Sequence, residues 1–155
     1  MAIDGIWTAH AERRERDPAV EAGSLTLVVD ASVAVVAALA EAGFSALAGE
    51  SPVAPALMWS EARSALHELR WRGEISAEDA AAARSRLERA PIELRRHSKL
   101  GEEAWRIADE FGWAKTYDAE YLALAQLLRC RLITLDARLH RSTAPLGFVI
   151  APDDL

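Results

Sequence analysis

Two kinds of hydrophobic pattern alternate along the chain. Short runs rich in Leu, Val and Ile have the length and composition of buried strands, and longer stretches repeat apolar residues every three to four positions, as helices do. The strand-like runs fall at residues 25–29, 51–55, 92–95, 132–135 and 148–150. The helix-like stretches fall at residues 33–43, 56–72, 76–90, 98–112, 117–129 and 137–142, with Ser32, Ser76 and Thr116 as expected N-caps. This alternation predicts an α/β fold with a parallel sheet covered on both faces.

Two of the strand-like runs end in an aspartate. Residues 25–30 read Leu-Thr-Leu-Val-Val-Asp, and residues 132–136 read Leu-Ile-Thr-Leu-Asp. Open α/β sheets place their ligand sites outside the carboxyl ends of the strands, so Asp30 and Asp136 would meet in one cleft if the two strands are neighbours. Thr134 would point to the same side as Asp136. The structural alternative is that each aspartate only caps the helix that follows it.

Two more acids lie on predicted helices. Glu61 interrupts an otherwise apolar row at positions 57, 61, 65 and 69. A buried carboxylate is costly unless it is paired, hydrogen-bonded or bound to a metal, so Glu61 is either a site residue or an exposed stripe edge that pairs with a base such as Arg63. Asp118 lies in the first turn of its helix, where the helix dipole alone explains a carboxylate.

Composition narrows the classes of function. A chain of 155 residues that is 51% hydrophobic fits a single domain with a sizeable core. The net charge of −6 argues against a broad, charge-driven nucleic-acid binder, but a nuclease built on carboxylates is compatible with it. Cys130 is the only cysteine, which excludes an intrachain disulfide and a cysteine zinc cluster.

The first residues and the absence of long apolar stretches bear on location. No stretch approaches the roughly 18 apolar residues of a membrane span, and residues 1–17 carry charges where a signal peptide is apolar. We therefore expect a cytoplasmic protein that does not associate with membranes. Residues 1–24 lack an apolar stripe, so we expect a poorly ordered N-terminal extension before one domain at residues 25–155.

Four short motifs occur in a fixed order. They are Val-Val-Asp-Ala-Ser at 28–32, Trp-Ser-Glu-Ala at 59–62, Tyr-Asp-Ala-Glu-Tyr-Leu-Ala-Leu-Ala at 117–125 and Leu-Ile-Thr-Leu-Asp at 132–136. In order, spacing and helix or strand context, the chain resembles PIN-domain ribonucleases of the VapC toxin type over roughly residues 25–152. The family's first strand usually begins closer to the start of the chain, so residues 1–24 are a departure.

The resemblance implies both a fold and a chemistry. The fold is a PIN-like three-layer architecture of about five parallel strands. The chemistry is metal-dependent cleavage of single-stranded regions of RNA by the toxin of a toxin–antitoxin pair, with a small antitoxin and a second copy of the chain as protein partners. By position, the acids that hold Mg²⁺ or Mn²⁺ would be Asp30, Glu61, Asp118 and Asp136, accompanied by the polar residues Ser32 and Thr134.

The residues support the same metals independently. A set of carboxylates without His or Cys ligands favours hard cations such as Mg²⁺ or Mn²⁺ over zinc. An RNA substrate also needs cations around an acidic cleft, and basic residues close in sequence to the acids are candidates for phosphate contacts, with solubilising surface charge as the alternative. These candidates are Arg63, Lys115, Arg138, His140 and Arg141.

Other interpretations of Asp30 remain open. A haloacid-dehalogenase-like phosphatase would use it as a covalent phosphate acceptor, but such enzymes resemble Asp-x-Asp, and here Ser32 takes the second position. A receiver-type signalling module would want paired acids after its first strand, whereas Asp30 is followed by Ala31 and Ser32. A protein that only binds partners, with purely structural acids, is a third possibility.

Overall fold

The computed structural model describes residues 25–155. The predicted N-terminal extension, residues 1–24, lies outside the described residues. The strands are β1 (Leu25–Val29), β2 (Glu50–Ala54), β3 (Glu93–Leu94), β4 (Arg131–Ile133) and β5 (Val149–Ile150). The helices are α1 (Ala31–Leu39), α2 (Leu57–Trp71), α3 (Ala77–Glu88), α4 (Leu100–Phe111), α5 (Tyr117–Leu128) and α6 (Ala137–Ser142). The predicted α/β alternation is thus confirmed, with ends that differ by a few residues.

The five strands form one parallel sheet in the order β3-β2-β1-β4-β5. Side chains at consecutive positions of a strand point to opposite faces, yet Leu27, Val28 and Val29 are each 0% exposed. Both faces of the sheet are therefore covered. Helices α1, α2 and α3 pack against one another, while α4 packs against α5, which lies on β1 and β4. The expected three-layer architecture is confirmed, with β3 at an edge.

The connection pattern places a crevice beside β1. From β1 the chain builds β2 and β3 on one side and then crosses to β4 and β5 on the other. A reversal of this kind is a topological switch point, where ligand sites of open α/β sheets lie. Val29 is level with Ile133 in the β1–β4 register, and the Asp30 amide donates to the Ile133 carbonyl at 3.1 Å. The ends of β1 and β4 therefore meet, which fulfils the condition on which the predicted meeting of Asp30 and Asp136 depended.

The predicted start of the first helix is wrong. Asp30, not Ser32, is in the N-cap position of α1, and its side chain makes no capping hydrogen bond. Its backbone carbonyl instead accepts from the amides of Val33 and Ala34 at 3.1 Å. The helix also ends at Leu39 and not near residue 43, because the backbone of Ala40 is extended, with φ −69° and ψ 148°. A short 3-10 segment follows at Ser45–Leu47.

The other two expected caps differ from each other. Ser76 caps α3 as predicted, accepting from the Asp79 amide at 2.9 Å. Thr116 is in the N-cap position of α5, but its side chain makes no capping bond because its backbone has helical angles. Across residues 25–155, none of the helices has the length and apolar character needed to cross a membrane.

Candidate active site

The four acids singled out in the sequence line one cleft of about 470 Å³. Asp30 follows β1, Asp136 follows β4, Glu61 lies on α2 and Asp118 lies in the first turn of α5. Two helices and two neighbouring strand ends thus contribute one carboxylate each. Ser32 and Arg72 also line this cleft, which we call the acid cleft.

Asp30 is held by two hydroxyl groups. Asp30 is buried, with 8% of the residue exposed, and its Oδ2 accepts from Ser32 Oγ at 2.6 Å and from Thr134 Oγ1 at 2.7 Å. Hydrogen bonds to the charged form stabilise a buried carboxylate. Because the side chain is turned to these hydroxyls, it does not make the hydrogen bonds of a helix cap, which was the alternative role expected for Asp30.

The same hydroxyls fix the loop that leads from β4 to α6. Leu135 donates its amide to Ser32 Oγ at 3.0 Å, and Asp136 donates its amide to Thr134 Oγ1 at 3.0 Å. β4 itself ends at Ile133, two residues before its predicted end, and the Leu135 and Asp136 amides bond to these hydroxyls instead of to a neighbouring strand. Asp136 then caps α6, since its Oδ1 accepts from the amides of Arg138 at 2.8 Å and Leu139 at 3.1 Å. Asp136 therefore fulfils the capping alternative and lines the acid cleft as well.

Glu61 is half-buried beside a completely buried tyrosine. The fully buried row of α2 is Met58, Ala62 and Leu66, so Glu61 lies at the edge of the apolar stripe. The Tyr121 hydroxyl donates to Glu61 Oε2 at 2.6 Å. Burial raises the pKa of the Glu61 carboxyl, the bond from Tyr121 lowers it, and the charges of Asp30, Asp118 and Glu120 raise it.

Asp118 is also half-buried and faces other acids. Burial raises its pKa, and the charges of Asp30 and Asp136 raise it further, whereas Arg138 lowers it. The Arg138 guanidinium lies 3.7 Å from Asp118 Oδ2. Asp118 thus lies close enough to Asp30 and Asp136 for their charges to disfavour its ionised form.

The predicted phosphate-binding residues divide into two groups. Lys115 and Arg138 line a second cavity of about 620 Å³, which shares Glu61 and Asp118 with the acid cleft. Arg63 instead lines a separate cavity between α2 and α3 with His67 and Arg70. His140 is half-buried and Arg141 exposed on α6, and among the described residues neither lines either cavity at the acids.

Comparisons with known proteins place the chain in a family. The PIN domain model matches residues 27–144. Ribonuclease VapC9 of Mycobacterium tuberculosis is 36% identical over 114 residues, which cover 73% of this chain and 87% of the relative, and VapC ribonuclease Mb0985 of Mycobacterium bovis matches to the same extent. The chain belongs to the PIN-domain family, in its VapC group. This assignment favours a nuclease over the phosphatase and receiver interpretations of Asp30.

A solved structure agrees with the assignment. The crystal structure of PAE2754 from Pyrobaculum aerophilum matches with a TM-score of 0.67 at 25% sequence identity, over 84% of this chain and 93% of that one. The similarity covers nearly the whole of the compared chain, so the two chains share a fold.

The donor chemistry of this PIN-domain site fits a hard cation. All four side chains offer carboxylate oxygens, which are the ligands that hard cations prefer. The pKa values of Glu61 and Asp118 are raised mainly by burial and further by neighbouring carboxylates, and a bound cation would favour the ionised forms. Within residues 25–155, no group of three or more potential ligands is drawn together closely enough to enclose a metal ion. Mg²⁺ suits such an open arrangement, because it keeps several waters and binds through one or two carboxylates.

Three residues at the site were missed by the sequence analysis. Tyr121 holds Glu61, Glu120 is half-buried with a pKa raised by that burial, and Arg72 lines the acid cleft while pairing with Glu68. A usable signal existed for Tyr121. It lies within the apolar run of α5, and a buried tyrosine hydroxyl generally needs a hydrogen-bond partner.

Acidification is expected to raise the free energy of unfolding of the EDTA-treated protein through Glu61 and Asp118, whose pKa values are raised. A carboxyl whose pKa is raised by folding binds more protons in the folded than in the unfolded state, so its contribution to stability rises as the pH falls from neutral toward 4.5, the ordinary value for Glu61. Glu103 has the opposite effect on stability, because the hydrogen bond from Arg106 lowers its pKa. The stability that Glu103 contributes is lost mainly below its ordinary pKa of 4.5, and therefore at lower pH than the gain from Glu61.

The measurement is the thermal unfolding midpoint against pH. The wild-type midpoint should gain more on acidification than the midpoints of Glu61→Gln and Asp118→Asn, which each lack one repelled carboxylate. Equal slopes in all three proteins would show that folding does not raise the pKa of Glu61 or Asp118.

Proposed function

We propose that the protein is a metal-dependent endoribonuclease that hydrolyses phosphodiester bonds in single-stranded regions of RNA. The observation that carries this proposal is the meeting of Asp30, Glu61, Asp118 and Asp136 at one cleft of a PIN-domain sheet. The VapC relatives are named ribonucleases, which supports RNA as the substrate.

The four carboxylates together are the proposed holders of Mg²⁺ or Mn²⁺, either by direct contact or through the water molecules that such a cation keeps. A cation held there would supply activation of a water molecule and stabilisation of the leaving oxygen of a phosphodiester. The protein's own part is to hold the carboxylates in place. Ser32 and Thr134 orient Asp30, and Tyr121 orients Glu61.

The basic side chains beside the acids have a separate role. Lys115 and Arg138 line the cavity next to the acid cleft, so they offset the negative charge that an RNA backbone would otherwise meet there. Contacts of this kind position a nucleic acid without reading its sequence. Arg138 is already 3.7 Å from Asp118, close to where the scissile phosphate would lie.

The proposal includes protein partners. The VapC relationship supports a role as the toxin of a toxin–antitoxin pair, with a small antitoxin that blocks the acid cleft and a homodimer as the assembly. Size-exclusion chromatography with light scattering on the purified chain checks the dimer, and a monomer at micromolar concentration would contradict it.

The central test uses protein purified free of any inhibitor. After treatment with EDTA, the protein is mixed with a labelled single-stranded RNA and with Mg²⁺, Mn²⁺ or no added metal. We expect cleavage only with a metal present. Failure to cleave with either metal contradicts the proposal. Tight binding of beryllofluoride that depends on Asp30 would instead favour a phosphate acceptor.

Metal and stability are expected to be linked. A bound cation lowers the pKa of the carboxyls that hold it, so its stabilising effect grows as the pH rises and the acids ionise. With saturating Mg²⁺ the unfolding midpoint should therefore fall on acidification, opposite to the direction expected with EDTA. A midpoint that does not respond to Mg²⁺ at neutral pH contradicts metal binding by the folded protein.

A further inference from the structure

We propose that Tyr117 is a stacking platform for an unpaired RNA base that flanks the cleaved phosphate. The subsite rests on the proposed ribonuclease function and adds a specific contact to it. Tyr117 lines the 620 Å³ cavity that shares Glu61 and Asp118 with the acid cleft. A base on this ring would therefore lie next to the acids that act on its phosphate.

The position of Tyr117 leaves about half of the residue exposed to solvent, with the Lys115 ammonium over the ring. It is the first residue of α5 and precedes Asp118 directly, and it is 53% exposed. The following residues, from Ala119 to Ala125, supply the buried face of the helix, so Tyr117 contributes little to the core. A flat apolar partner that stacks on an exposed aromatic ring removes the ring surface from water, which is favourable.

The cavity wall next to Tyr117 is also aromatic. Trp113 lines the same cavity and packs on Phe111, with ring centroids 4.9 Å apart and planes inclined by 31°. Gly112 ends α4 with a φ of +66°, a conformation that favours glycine and turns the chain toward the cavity. Trp113 is thus held in place by its contact with Phe111 and forms one side of the cavity.

The charges around the ring suit a nucleotide. The Lys115 ammonium lies 5.9 Å from the centroid of the Tyr117 ring, and Arg138 lies on the same cavity beside Asp118. Proteins that bind single-stranded nucleic acid combine aromatic rings for the bases with cations for the phosphates. An aromatic ring, two cations and the acids are found together here, within one pair of adjoining cavities.

Exposure alone does not single out Tyr117. Trp71 and Trp105 are more exposed, at 81% and 67%, but among the described residues neither lines the acid cleft or the cavity beside it. Trp105 therefore serves as a matched control. Its loss removes an exposed aromatic side chain of α4 without touching the proposed subsite.

The test measures RNA affinity by fluorescence anisotropy with a labelled single-stranded RNA, in an Asp30→Asn background so that the RNA stays intact. Tyr117→Ala should weaken binding about 5- to 100-fold, the range that the loss of one base stack gives. Tyr117→Phe and Trp105→Ala should bind within about twofold of the parent, since Phe keeps a stacking face. With Asp30 intact, Tyr117→Ala should raise KM more than it lowers kcat.

A modified RNA locates the stacked base. An abasic nucleotide at the critical position should weaken binding to the parent protein but cause no further loss with Tyr117→Ala, because both changes remove the same contact. If the parent binds RNA and Tyr117→Ala binds it equally well, the subsite is wrong and the ribonuclease proposal stands. Protein that neither binds nor cleaves RNA overturns both.

Discussion

Asp30→Asn and Asp118→Asn should each slow RNA cleavage by about a hundred- to a thousandfold without unfolding the protein. Electrostatic groups that act on the transition state have effects of this size, and both carboxylates line the acid cleft. Asparagine keeps the shape of aspartate and a side-chain oxygen. At position 30 that oxygen can still accept from Ser32 and Thr134. The charge is lost, but the hydrogen bonds that support the fold are kept.

Measurements of stability distinguish a loss of catalysis from a loss of folding. Asp118 has a pKa raised by burial and by Asp30 and Asp136, so removing one charge relieves repulsion, and the unfolding midpoint with EDTA should stay level or rise. Initial rates on labelled RNA with Mg²⁺ and a thermal melt give both quantities. Asp109→Asn, an exposed acid on α4, should match the wild type in each. A wild-type rate in either site variant would remove that residue from the mechanism.

The meeting of Asp30 and Asp136 could be predicted from the sequence because it follows from two simple rules. A continuous apolar run marks a strand buried on both faces, and parallel strands end at the same edge of their sheet. Leu27, Val28 and Val29 fulfil the first rule and the β1–β4 register fulfils the second. The sheet neighbours themselves were an assumption, since pairing depends on contacts about a hundred residues apart in sequence.

Which hydrogen bond a side chain makes could not be predicted from the sequence. Asp30 and Asp136 have the same local setting, a strand end followed by a helix, yet Asp136 caps its helix and Asp30 does not. The difference comes from Thr134 on the neighbouring strand and Ser32 on α1, which bind the Asp30 carboxylate. Sequence proximity does not reveal partners of this kind.

For the basic residues, helix geometry alone could have improved the prediction. Arg63 follows Glu61 by two positions on α2, and side chains two apart on a helix do not face each other. Arg63 accordingly lines a different cavity from the acids. Tyr121 is three positions from Asp118 on α5, close enough to share its end of the helix, and its hydroxyl reaches Glu61 on α2. Helical spacing therefore carries more information here than distance along the chain.

Thr134→Val should lower the free energy of unfolding by about 1–3 kcal/mol and also slow RNA cleavage, because it removes a hydroxyl that serves two strand ends. Thr134 is 1% exposed and donates to Asp30 Oδ2 at 2.7 Å while accepting from the Asp136 amide at 3.0 Å. Valine has nearly the same shape, so the core stays filled. What remains is a buried Asp30 carboxylate with one hydroxyl partner fewer and a backbone amide that has lost its acceptor.

Two further variants separate the effect on stability from the effect on RNA cleavage. Thr134→Ser keeps the hydroxyl and should recover most of the activity. Thr143→Val removes a second buried threonine hydroxyl, which donates to the Leu139 carbonyl at 2.7 Å at the end of α6, so it should cost stability but leave cleavage at the wild-type rate. Urea unfolding and initial rates measure both. If Thr134→Val and Thr143→Val lose equal stability and both keep full activity, the Thr134 hydroxyl supports the fold only and has no part in holding Asp30 for catalysis.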